Sequence, residues 1–328
     1  MKVLVTGGTG FVGSHTVAAL LRHGHQVRVL ARDTGRVPAV LGPLGVEAEA
    51  VRGDVTDRAS VANAVAGCDA AVHAAAEIGV GGAGQTTDVN VVGTRTVLDE
   101  ALAAGLDPVV YTSTITVYLP SADAVVTPDS ALAEPLSAYG ASKRDAELLV
   151  RDRPDRGHPV CSVTLGGVYG PDSPHLDGSF AAVLGALGSM MLVAPGGMGL
   201  VDVRDVAELL ARCVEPGRGP RHYLAGGRYV TWAEWTDLLG RAAGVDLHGH
   251  RVTAEEMVDL GRQFDAQRAA GTAVDAPLSE EAAVIMTSGV PTDDSATLAD
   301  LGFAYRPLLD TFGDTVAFLR DRGHLPAP

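Results

Sequence analysis

Lysine is almost absent from this chain of 328 residues. Of its 25 basic side chains only Lys2 and Lys143 are lysines, so arginine supplies nearly all of the positive charge. An ammonium is a compact charge with rotatable donors, whereas a guanidinium is a planar fork, and the two are not interchangeable in a chemical site. The isolated lysine at position 143 therefore suggests a chemical role rather than a surface role.

Positive charge and cysteine are also scarce. With 40 acidic side chains the formal net charge is −15, whereas nucleic acids and anionic membranes require a cationic face. We therefore expect a small-molecule substrate, with no nucleic acid and no membrane as partner. Cys68, Cys161 and Cys213 show no CxxC or CxxH spacing, so neither a disulfide framework nor a metal site is indicated, and a reducing cytoplasm is expected.

Long apolar runs are missing as well. The longest, FAAVLGALGSMMLVAP at 180–195, is too short and too rich in glycine to cross a bilayer. It offers a possible substrate lining, with plain helix packing as an equal alternative; its large apolar residues are Phe180, Leu184, Leu187, Met190, Met191 and Leu192. No cationic segment followed by a cleavage site comes after Met1, which also favours a cytoplasmic location.

Short β-branched runs alternate with helical patterns through the first half. The runs lie at 2–6, 26–30, 46–54, 69–75, 108–114 and 159–165, and helices are expected from Ser14, Arg58 and Thr87 and near Tyr139. Alternation of nearly continuous apolar strands with helices predicts an α/β fold, a Rossmann-type doubly wound parallel sheet.

The second half predicts a smaller substrate-binding region interleaved with the sheet. Proline and glycine clusters follow Gly166, and 200–215 then restores a strand and a helix. We expect a dinucleotide-binding domain at 1–165 and 200–228, with the substrate-binding region at 166–199 and 229–328. Further helices are expected from Trp232, Thr253 and Leu309.

The sequence VLVTGGTGFVGS at 3–14 contains a dinucleotide fingerprint. Gly7, Gly10 and Gly13, with Gly8 as an alternative first glycine, lie between a strand and a helix. Glycines there allow a tight turn, so that a pyrophosphate can reach the unpaired N–H groups at the helix N-terminus. We therefore expect a nicotinamide dinucleotide cofactor.

The residue at the end of the second strand decides which dinucleotide is preferred. Arg32 lies at the predicted end, with Arg36 nearby, and a guanidinium suits a 2′-phosphate. Asp33 follows directly, and a strand ending one residue later would favour the ribose hydroxyls of NAD. NADP(H) is favoured, and NAD is the alternative. Asp54 is placed to accept from the adenine amino group, while Asp54 or Thr56 is also a candidate helix cap, and the two roles are compatible.

Tyr139 and Lys143 are four residues apart and share one helix face. The ammonium can stabilise phenolate character beside a bound nicotinamide. Thr112, Ser113 and Thr114 end the strand that precedes this helix. Their hydroxyls are expected at the carboxyl edge of the sheet, where ligands bind and where a carbonyl needs a hydrogen-bond donor.

Eight segments in this order resemble the extended short-chain dehydrogenase/reductase superfamily, the NAD(P)-dependent epimerase/dehydratase family. They are TGGTGFVG at 6–13, GDVTD at 53–57, HAAA at 73–76, DVNVVGT at 88–94, TSTITVY at 112–118, YGASK at 139–143, GGVYGP at 166–171 and LVDVRDVA at 200–207; the ending at 295–319 is similar too. The segment before GGVYGP departs from the pattern, with Thr164 and Leu165 where relatives often carry arginine and proline or tyrosine.

The resemblance implies that Tyr139 is the acid/base, that Lys143 lowers its pKa and binds ribose, and that Thr114 orients the substrate oxygen. It makes Asn90 a helix-shaping residue rather than a catalyst. It also implies cofactor contacts from a wider set: Gly7, Gly10, Phe11, Val12, Gly13, Arg32, Asp54, Val55, Ala74, Ala75, Ala76, Thr112, Tyr139, Lys143, Gly166 and Val168. A homodimer through the helices of Asn90 and Tyr139 is a further implication.

Three functions remain open. The first is NADP(H)-dependent reduction of a ketone or aldehyde in a mostly apolar substrate, as in dihydroflavonol-reductase-like or hydroxysteroid-dehydrogenase-like members. The second is epimerisation or dehydration of a nucleotide sugar with tightly bound NAD. The first is favoured because 157–203 contains no lysine or arginine to bind a diphosphate, although Arg228, Arg262 or Arg268 offers cations from the tail. The third, an NADP(H)-sensing scaffold without catalysis, is disfavoured by the intact Thr114, Tyr139 and Lys143 set.

Overall fold

The computed structural model describes residues 1–77, 86–136, 138–153, 157–189, 191–274 and 278–326, with the backbone alone for 86–88, 138 and 139. Twelve strands lie in these ranges: β1 (Lys2–Thr6), β2 (Gln26–Ala31), β3 (Glu49–Arg52), β4 (Ala70–His73), β5 (Val109–Thr114), β6 (Val160–Leu165), β7 (Gly167–Tyr169), β8 (Met191–Val193), β9 (Gly197–Asp202), β10 (Arg221–Ala225), β11 (Arg228–Thr231) and β12 (Gly249–Arg251).

The described residues also form twelve α-helices. These are α1 (Phe11–Arg22), α2 (Arg36–Leu41), α3 (Arg58–Val65), α4 (Thr86–Ala103), α5 (Ala138–Arg151), α6 (Gly178–Gly188), α7 (Val203–Cys213), α8 (Trp232–Ala243), α9 (Ala254–Ala269), α10 (Glu280–Ser288), α11 (Ser295–Leu301) and α12 (Leu308–Asp321). Within the described ranges, none of the helices combines the length and the apolar character that spanning a bilayer requires.

Seven strands form one parallel sheet in the order β3-β2-β1-β4-β5-β6-β10. The chain winds outward from β1 in one direction and then returns to continue from β4 in the other, which is the doubly wound arrangement predicted above. Because the strand order reverses between β1 and β4, a crevice opens at the carboxyl ends of these two strands. Thr6 pairs with His73 in the register there.

Alternate residues of β1 pack on opposite faces of the sheet. Val5 joins the core formed with α1 and α7, whereas Leu4 joins the core formed with α3, α4 and α5. Burial on both faces explains why the strands read as continuous apolar runs without a polar alternation.

Helix α1 begins at Phe11, three residues before the predicted start at Ser14. Gly10 is extended, with φ −96° and ψ 175°, and Phe11 is already buried in the first turn. The prediction from Ser14 was wrong because the helical turn follows directly on the glycine loop, with no serine or threonine as N-cap.

The remaining strands form a three-stranded sheet, β11-β9-β7, and a two-stranded sheet, β12-β8. A second core joins them to α6, α8 and α12 around Trp235 and Phe312, which are fully buried. Phe180 is 1% exposed and packs edge-on against Phe11 and Phe318, so helix packing describes this residue rather than a substrate lining. Met190 lies outside the described residues, and the division into two regions stays a prediction.

Candidate active site

The turn from β1 into α1 is shaped by close backbone contacts. Gly7 has φ +75°, and a Cβ there would lie 2.6 Å from the carbonyl carbon of Ala74. A Cβ on Gly13 would lie 2.1 Å from the carbonyl oxygen of Gly7. Gly10 gives α1 no side-chain cap, and the first turn has no acidic residue. The helix N-terminus therefore keeps free donors, and these residues fit a bound pyrophosphate.

A cleft of about 270 Å³ opens beside this turn, at the crevice between β1 and β4. Of the residues predicted to bind cofactor, Gly7, Gly10, Arg32, Asp54, Val55, Ala74, Ala75 and Ala76 line it. Sequence reasoning missed further lining residues, among them Thr9, Leu30, Ala31, Gly53, Glu77, Val89 and His175. The cleft thus joins residues that are far apart in the sequence.

Arginines line the outer end of the cleft. Arg32 follows β2 directly, is 74% exposed and lies 3.4 Å from a carboxylate oxygen of Glu77. Arg36 also lines the cleft and lies 3.2 Å from His175 Nε2. Asp33 is not among the lining residues, and its carboxylate accepts from the Gly35 backbone N–H.

Asp54 lies in the cleft, and its carboxylate accepts from the backbone N–H and the hydroxyl of Thr56. These hydrogen bonds lower the pKa of Asp54, so it is ionised at neutral pH. The N-cap of α3 is Asp57, whose side chain accepts from Ala59 N–H. The alternative that Asp54 or Thr56 caps this helix was therefore wrong, because Asp57 is the residue directly before the first helical residue, Arg58.

Asn90, in α4, links the segment after β4 to α4 and α5 through hydrogen bonds. Its amide accepts from the Glu77 N–H at 2.8 Å and donates to the Glu77 carbonyl at 3.0 Å. It also donates to the Ser142 hydroxyl in α5 at 3.1 Å. Asn90 therefore connects the cleft-lining residue Glu77 to α4 and α5, in keeping with a shaping role.

His73 is fully buried at the end of β4. Its Nδ1 lies 2.7 Å from the Thr6 hydroxyl, and its Nε2 lies 3.2 Å from the Thr94 hydroxyl. Burial and the positive charge of Lys143 lower the pKa of His73 to about 3, so the imidazole is neutral. It joins β1, β4 and α4 without adding charge behind the cleft.

The hydroxyls that end β5 differ in their surroundings. Thr112 donates to the His73 carbonyl at 3.2 Å. Ser113 is 4% exposed. Thr114 is partly exposed at the carboxyl edge; its hydroxyl accepts from the Thr116 N–H at 3.3 Å and lies 3.1 Å from the Thr116 hydroxyl. Thr112 and Thr114 are both half-buried, and the catalytic role of Thr114 stays a prediction.

Lys143 is 6% exposed in α5, and its ammonium lies 5.5 Å from the centre of the Tyr111 ring. Burial lowers the pKa of Lys143 to about 8, while the charge of Glu147 raises it. Tyr139 occupies the first turn of the same helix, but its side chain lies outside the described part of the chain. The structure thus places the ammonium, and the tyrosine role stays a prediction.

The other predicted cofactor contacts are not among the residues that line the cleft. Phe11 is buried edge-on against His15, and Val12 packs on the core of the large sheet. A Cβ on Gly166 would lie 2.1 Å from the Gly226 carbonyl oxygen, and Val168 is in β7. Their assignments as cofactor contacts stay predictions.

Comparison with known proteins places the chain in a family. The profile of the NAD dependent epimerase/dehydratase family matches residues 3–226. The chain is 29% identical to sterol demethylase protein B of Methylococcus capsulatus, over 98% of this chain and 99% of that protein. It is 35% identical to 3-beta-hydroxysteroid dehydrogenase of Mycolicibacterium neoaurum, over 52% of this chain and 48% of that protein, so this match spans about half of that relative.

Solved structures agree with the doubly wound fold. A double mutant of DesIV, a dTDP-glucose 4,6-dehydratase from Streptomyces venezuelae with NAD and DAU bound, superposes with a TM-score of 0.75. The identity is 28%, over 99% of this chain and 98% of that one. The predicted class of enzyme, an extended short-chain dehydrogenase/reductase, is confirmed. The chain belongs to the NAD-dependent epimerase/dehydratase family.

Proposed function

We propose that this protein is an NADP(H)-dependent oxidoreductase that reduces a ketone or aldehyde of a mostly apolar substrate. The observation that carries the chemistry is the buried Lys143 ammonium, one helical turn after Tyr139. A charge in that position stabilises the phenolate that forms when a tyrosine gives up its proton. Tyr139, Thr114 and Lys143 then form the catalytic set.

The bound nicotinamide supplies the hydride that is added to the carbonyl carbon. Tyr139 donates its phenolic proton to the carbonyl oxygen, and Thr114 holds that oxygen by a hydrogen bond. Lys143 stabilises the phenolate left on Tyr139. The free N–H groups at the start of α1 bind the pyrophosphate of the cofactor.

Arg32 supports NADP over NAD. Its guanidinium lines the outer end of the cleft, and Arg36 lies near it. Asp33, the acid that would bind the ribose hydroxyls of NAD, is engaged with the backbone of Gly35. A 2′-phosphate would meet two guanidinium groups here, which are suited to bind it.

The distribution and pairing of the basic side chains in the second half of the chain support an apolar substrate. The segment 157–203 contains no lysine or arginine. In the tail, Arg262 binds Glu280 and Asp259, and Arg268 binds Asp265, so both guanidinium groups are already paired. The full-length similarity to sterol demethylase protein B points in the same direction.

A nucleotide-sugar epimerase or dehydratase that uses NAD is the second candidate. Its support is the likeness to dTDP-glucose 4,6-dehydratase over nearly the whole chain. Arg228, on β11, is exposed and would have to bind the diphosphate of such a substrate. The two candidates make different demands on the cofactor, because an epimerase returns the hydride whereas a reductase consumes NADPH.

One screen separates the candidates. NADPH, NADH, a set of apolar ketones including steroids, and a set of UDP- and dTDP-sugars are tested for binding and for turnover. We expect NADPH oxidation with an apolar ketone and no sugar conversion. Sugar conversion without net NADPH consumption would instead establish the second candidate, and cofactor binding without any turnover would leave a sensing scaffold.

The Tyr139→Phe variant tests the chemistry. Because the phenol supplies the proton, we expect turnover to fall by at least about 10²-fold, while the Kd for NADPH changes less than about twofold since the ring remains. Tyr229→Phe is the matched control, because its hydroxyl donates to the Gly289 carbonyl outside the cleft. Full activity in Tyr139→Phe would contradict the proposed mechanism.

A further inference from the structure

Glu147 is a fully buried acid in the helix that carries Lys143. Its side chain is 0% exposed and lies one helical turn after Lys143. Oε1 accepts from Arg151 Nε at 3.1 Å, while Oε2 is buried and has no hydrogen-bond partner among the described residues. A buried carboxylate with an unpaired oxygen is costly, so its charge needs compensation from nearby cations.

The neighbours of the Lys143 ammonium on the described strands are an aromatic ring and a neutral imidazole. The Tyr111 ring in β5 lies 5.5 Å from the ammonium and attracts it through its π face. The buried imidazole of His73, in β4, is neutral and adds no negative charge. Tyr139 belongs to the same helix, with its side chain outside the described part. Among the described residues, Glu147, four residues further along α5, is the acid whose charge raises the Lys143 pKa that burial lowers.

We propose that Glu147 is a positioning residue, whose buried negative charge keeps the Lys143 ammonium protonated behind the cofactor cleft. The residues three and four apart on a helix are neighbours, so one turn of α5 brings the two charges onto the same face. The inference rests on the proposed function for its catalytic meaning, because Lys143 acts on Tyr139 only while it is charged.

The groups around Glu147 leave part of its charge for Lys143. Arg151 is the fixed cation beside it, but this side chain is 29% exposed and therefore partly screened. His222 Nε2 lies 3.9 Å from Oε1, and burial lowers the pKa of this imidazole. Tyr118 and Thr164 complete the surroundings, through hydrogen bonds to His222 at 3.3 and 3.4 Å.

Thr164 places a neutral hydroxyl near the imidazole that neighbours Glu147. Relatives often carry arginine at this position, as noted above, and the threonine hydroxyl lies within hydrogen-bond distance of His222, the imidazole next to Glu147. An arginine there would bring a second buried cation toward the carboxylate. With a neutral threonine at position 164, Arg151 is the fixed cationic partner of the Glu147 carboxylate among the described residues. More of the electrostatic effect of Glu147 therefore acts on Lys143.

The scarcity of lysine provides a direct measurement. Protein labelled with ¹³C and ¹⁵N in lysine alone gives signals from Lys2 and Lys143 only, and the Lys2→Arg variant leaves Lys143 as the sole lysine. An NMR titration then reports the Lys143 pKa, expected at about 8. In Glu147→Gln we expect this pKa to fall by at least about one unit, because a nearby opposite charge is lost.

Three variants complete the test. Asp145→Asn removes an exposed acid from the same helix and should leave the Lys143 pKa unchanged. Glu147→Asp keeps the charge and should restore most of the lost shift. Arg151→Gln removes the cation that competes with Lys143 for the Glu147 charge, and it should raise the Lys143 pKa. This variant tests the proposal if Glu147→Gln does not fold.

An unchanged Lys143 pKa in Glu147→Gln, or in Arg151→Gln where the first variant does not fold, would overturn the proposal. The titration uses neither substrate nor turnover, so its result is independent of the proposed reaction. A protein that shows the expected shifts but reduces no ketone would retain the role of Glu147 and lose the proposed function.

Discussion

Burial sets the protonation of the ionisable side chains behind the cleft. His73 loses its charge completely at neutral pH, whereas Lys143 is held near its titration point. The difference follows from the partners: two hydroxyls satisfy a neutral imidazole, while Glu147 supports an ammonium. The same low-dielectric site therefore holds one neutral and one charged base side by side.

His73 makes stability depend on pH below its ordinary titration range. Its pKa is 6.5 when unfolded and about 3 when folded, so between these values the unfolded chain binds a proton that the folded chain does not. The free energy of unfolding must then fall as pH falls from 6.5 toward 3. In His73→Asn we expect this component to disappear, measured as the difference between the urea-unfolding curves of the two proteins over that range.

If the free energies of unfolding of the protein and of His73→Asn changed in parallel over the whole acid range, this role for His73 would be contradicted. The neighbouring carboxylates titrate in both proteins and cancel in the difference. His248→Asn serves as the control, because that side chain is 83% exposed and its loss should not alter the acid dependence beyond a few tenths of a kcal/mol.

Arg32 decides the cofactor preference in our proposal. In Arg32→Gln the 2′-phosphate loses a charge-assisted hydrogen bond, so we expect the Kd for NADPH to rise roughly 10- to 100-fold while that for NADH changes less than about twofold. Titration of both cofactors by calorimetry measures the ratio. Arg22→Gln, an exposed arginine in the last turn of α1, is the control; equal losses for NADPH and NADH in Arg32→Gln would refute the assignment.

The glycine loop packs directly against the first turn of α1. A methyl group on Gly13 would lie 2.1 Å from the Gly7 carbonyl oxygen, within the turn that receives the pyrophosphate. We expect Gly13→Ala to lower the free energy of unfolding by roughly 1–3 kcal/mol, because the backbone must shift to make room, and to abolish cofactor binding. Denaturant unfolding and cofactor titration measure the two effects.

Gly313 provides the matched helix glycine. A Cβ at this position in α12 meets no atom within 4 Å, so Gly313→Ala should raise the free energy of unfolding by roughly 0.5–1 kcal/mol through helix propensity. Cofactor binding should not change. If the two alanine variants behaved alike, close packing would not be the reason for glycine at position 13.

The elements that sequence reasoning located best are those whose signals are local. The strand at Lys2–Thr6 and the helices at Arg58 and Trp232 begin where the apolar pattern predicts them. The start of α1 was missed because its N-cap is Gly10, which carries no polar side chain to signal it. A local pattern thus gives an element and its type more reliably than its first residue.

Contacts between distant segments had no local signal. Glu147 and His222 approach only because β10 pairs with β6 at the edge of the sheet, beside the helix that carries Glu147. Likewise, Asn90 binds the backbone of Glu77, and His175 reaches Arg36, across the cleft. The catalytic candidates were identifiable by type and spacing, whereas the residues that support them depend on the folded sheet.

At the scale of the whole molecule, one outer face suggests how two copies would associate. Helices α4 and α5 pack against each other on the sheet. In these two helices Val92 is 41% exposed and Leu148 is 49% exposed. The superfamily resemblance implies a homodimer through these same two helices.

We expect Val92→Glu and Leu148→Glu, each or combined, to convert a homodimer into a monomer, because a carboxylate would be buried against its own copy across a two-fold axis. Sedimentation velocity of the full chain measures the change. Val245→Glu, which places the same charge on an apolar residue of similar exposure beyond α8, should leave the dimer intact. A protein that is monomeric before substitution, or a dimer that both charged variants preserve, would remove α4 and α5 from the interface. In the variants that do dissociate, Lys143 should keep its pKa of about 8, since its burial is complete within one chain.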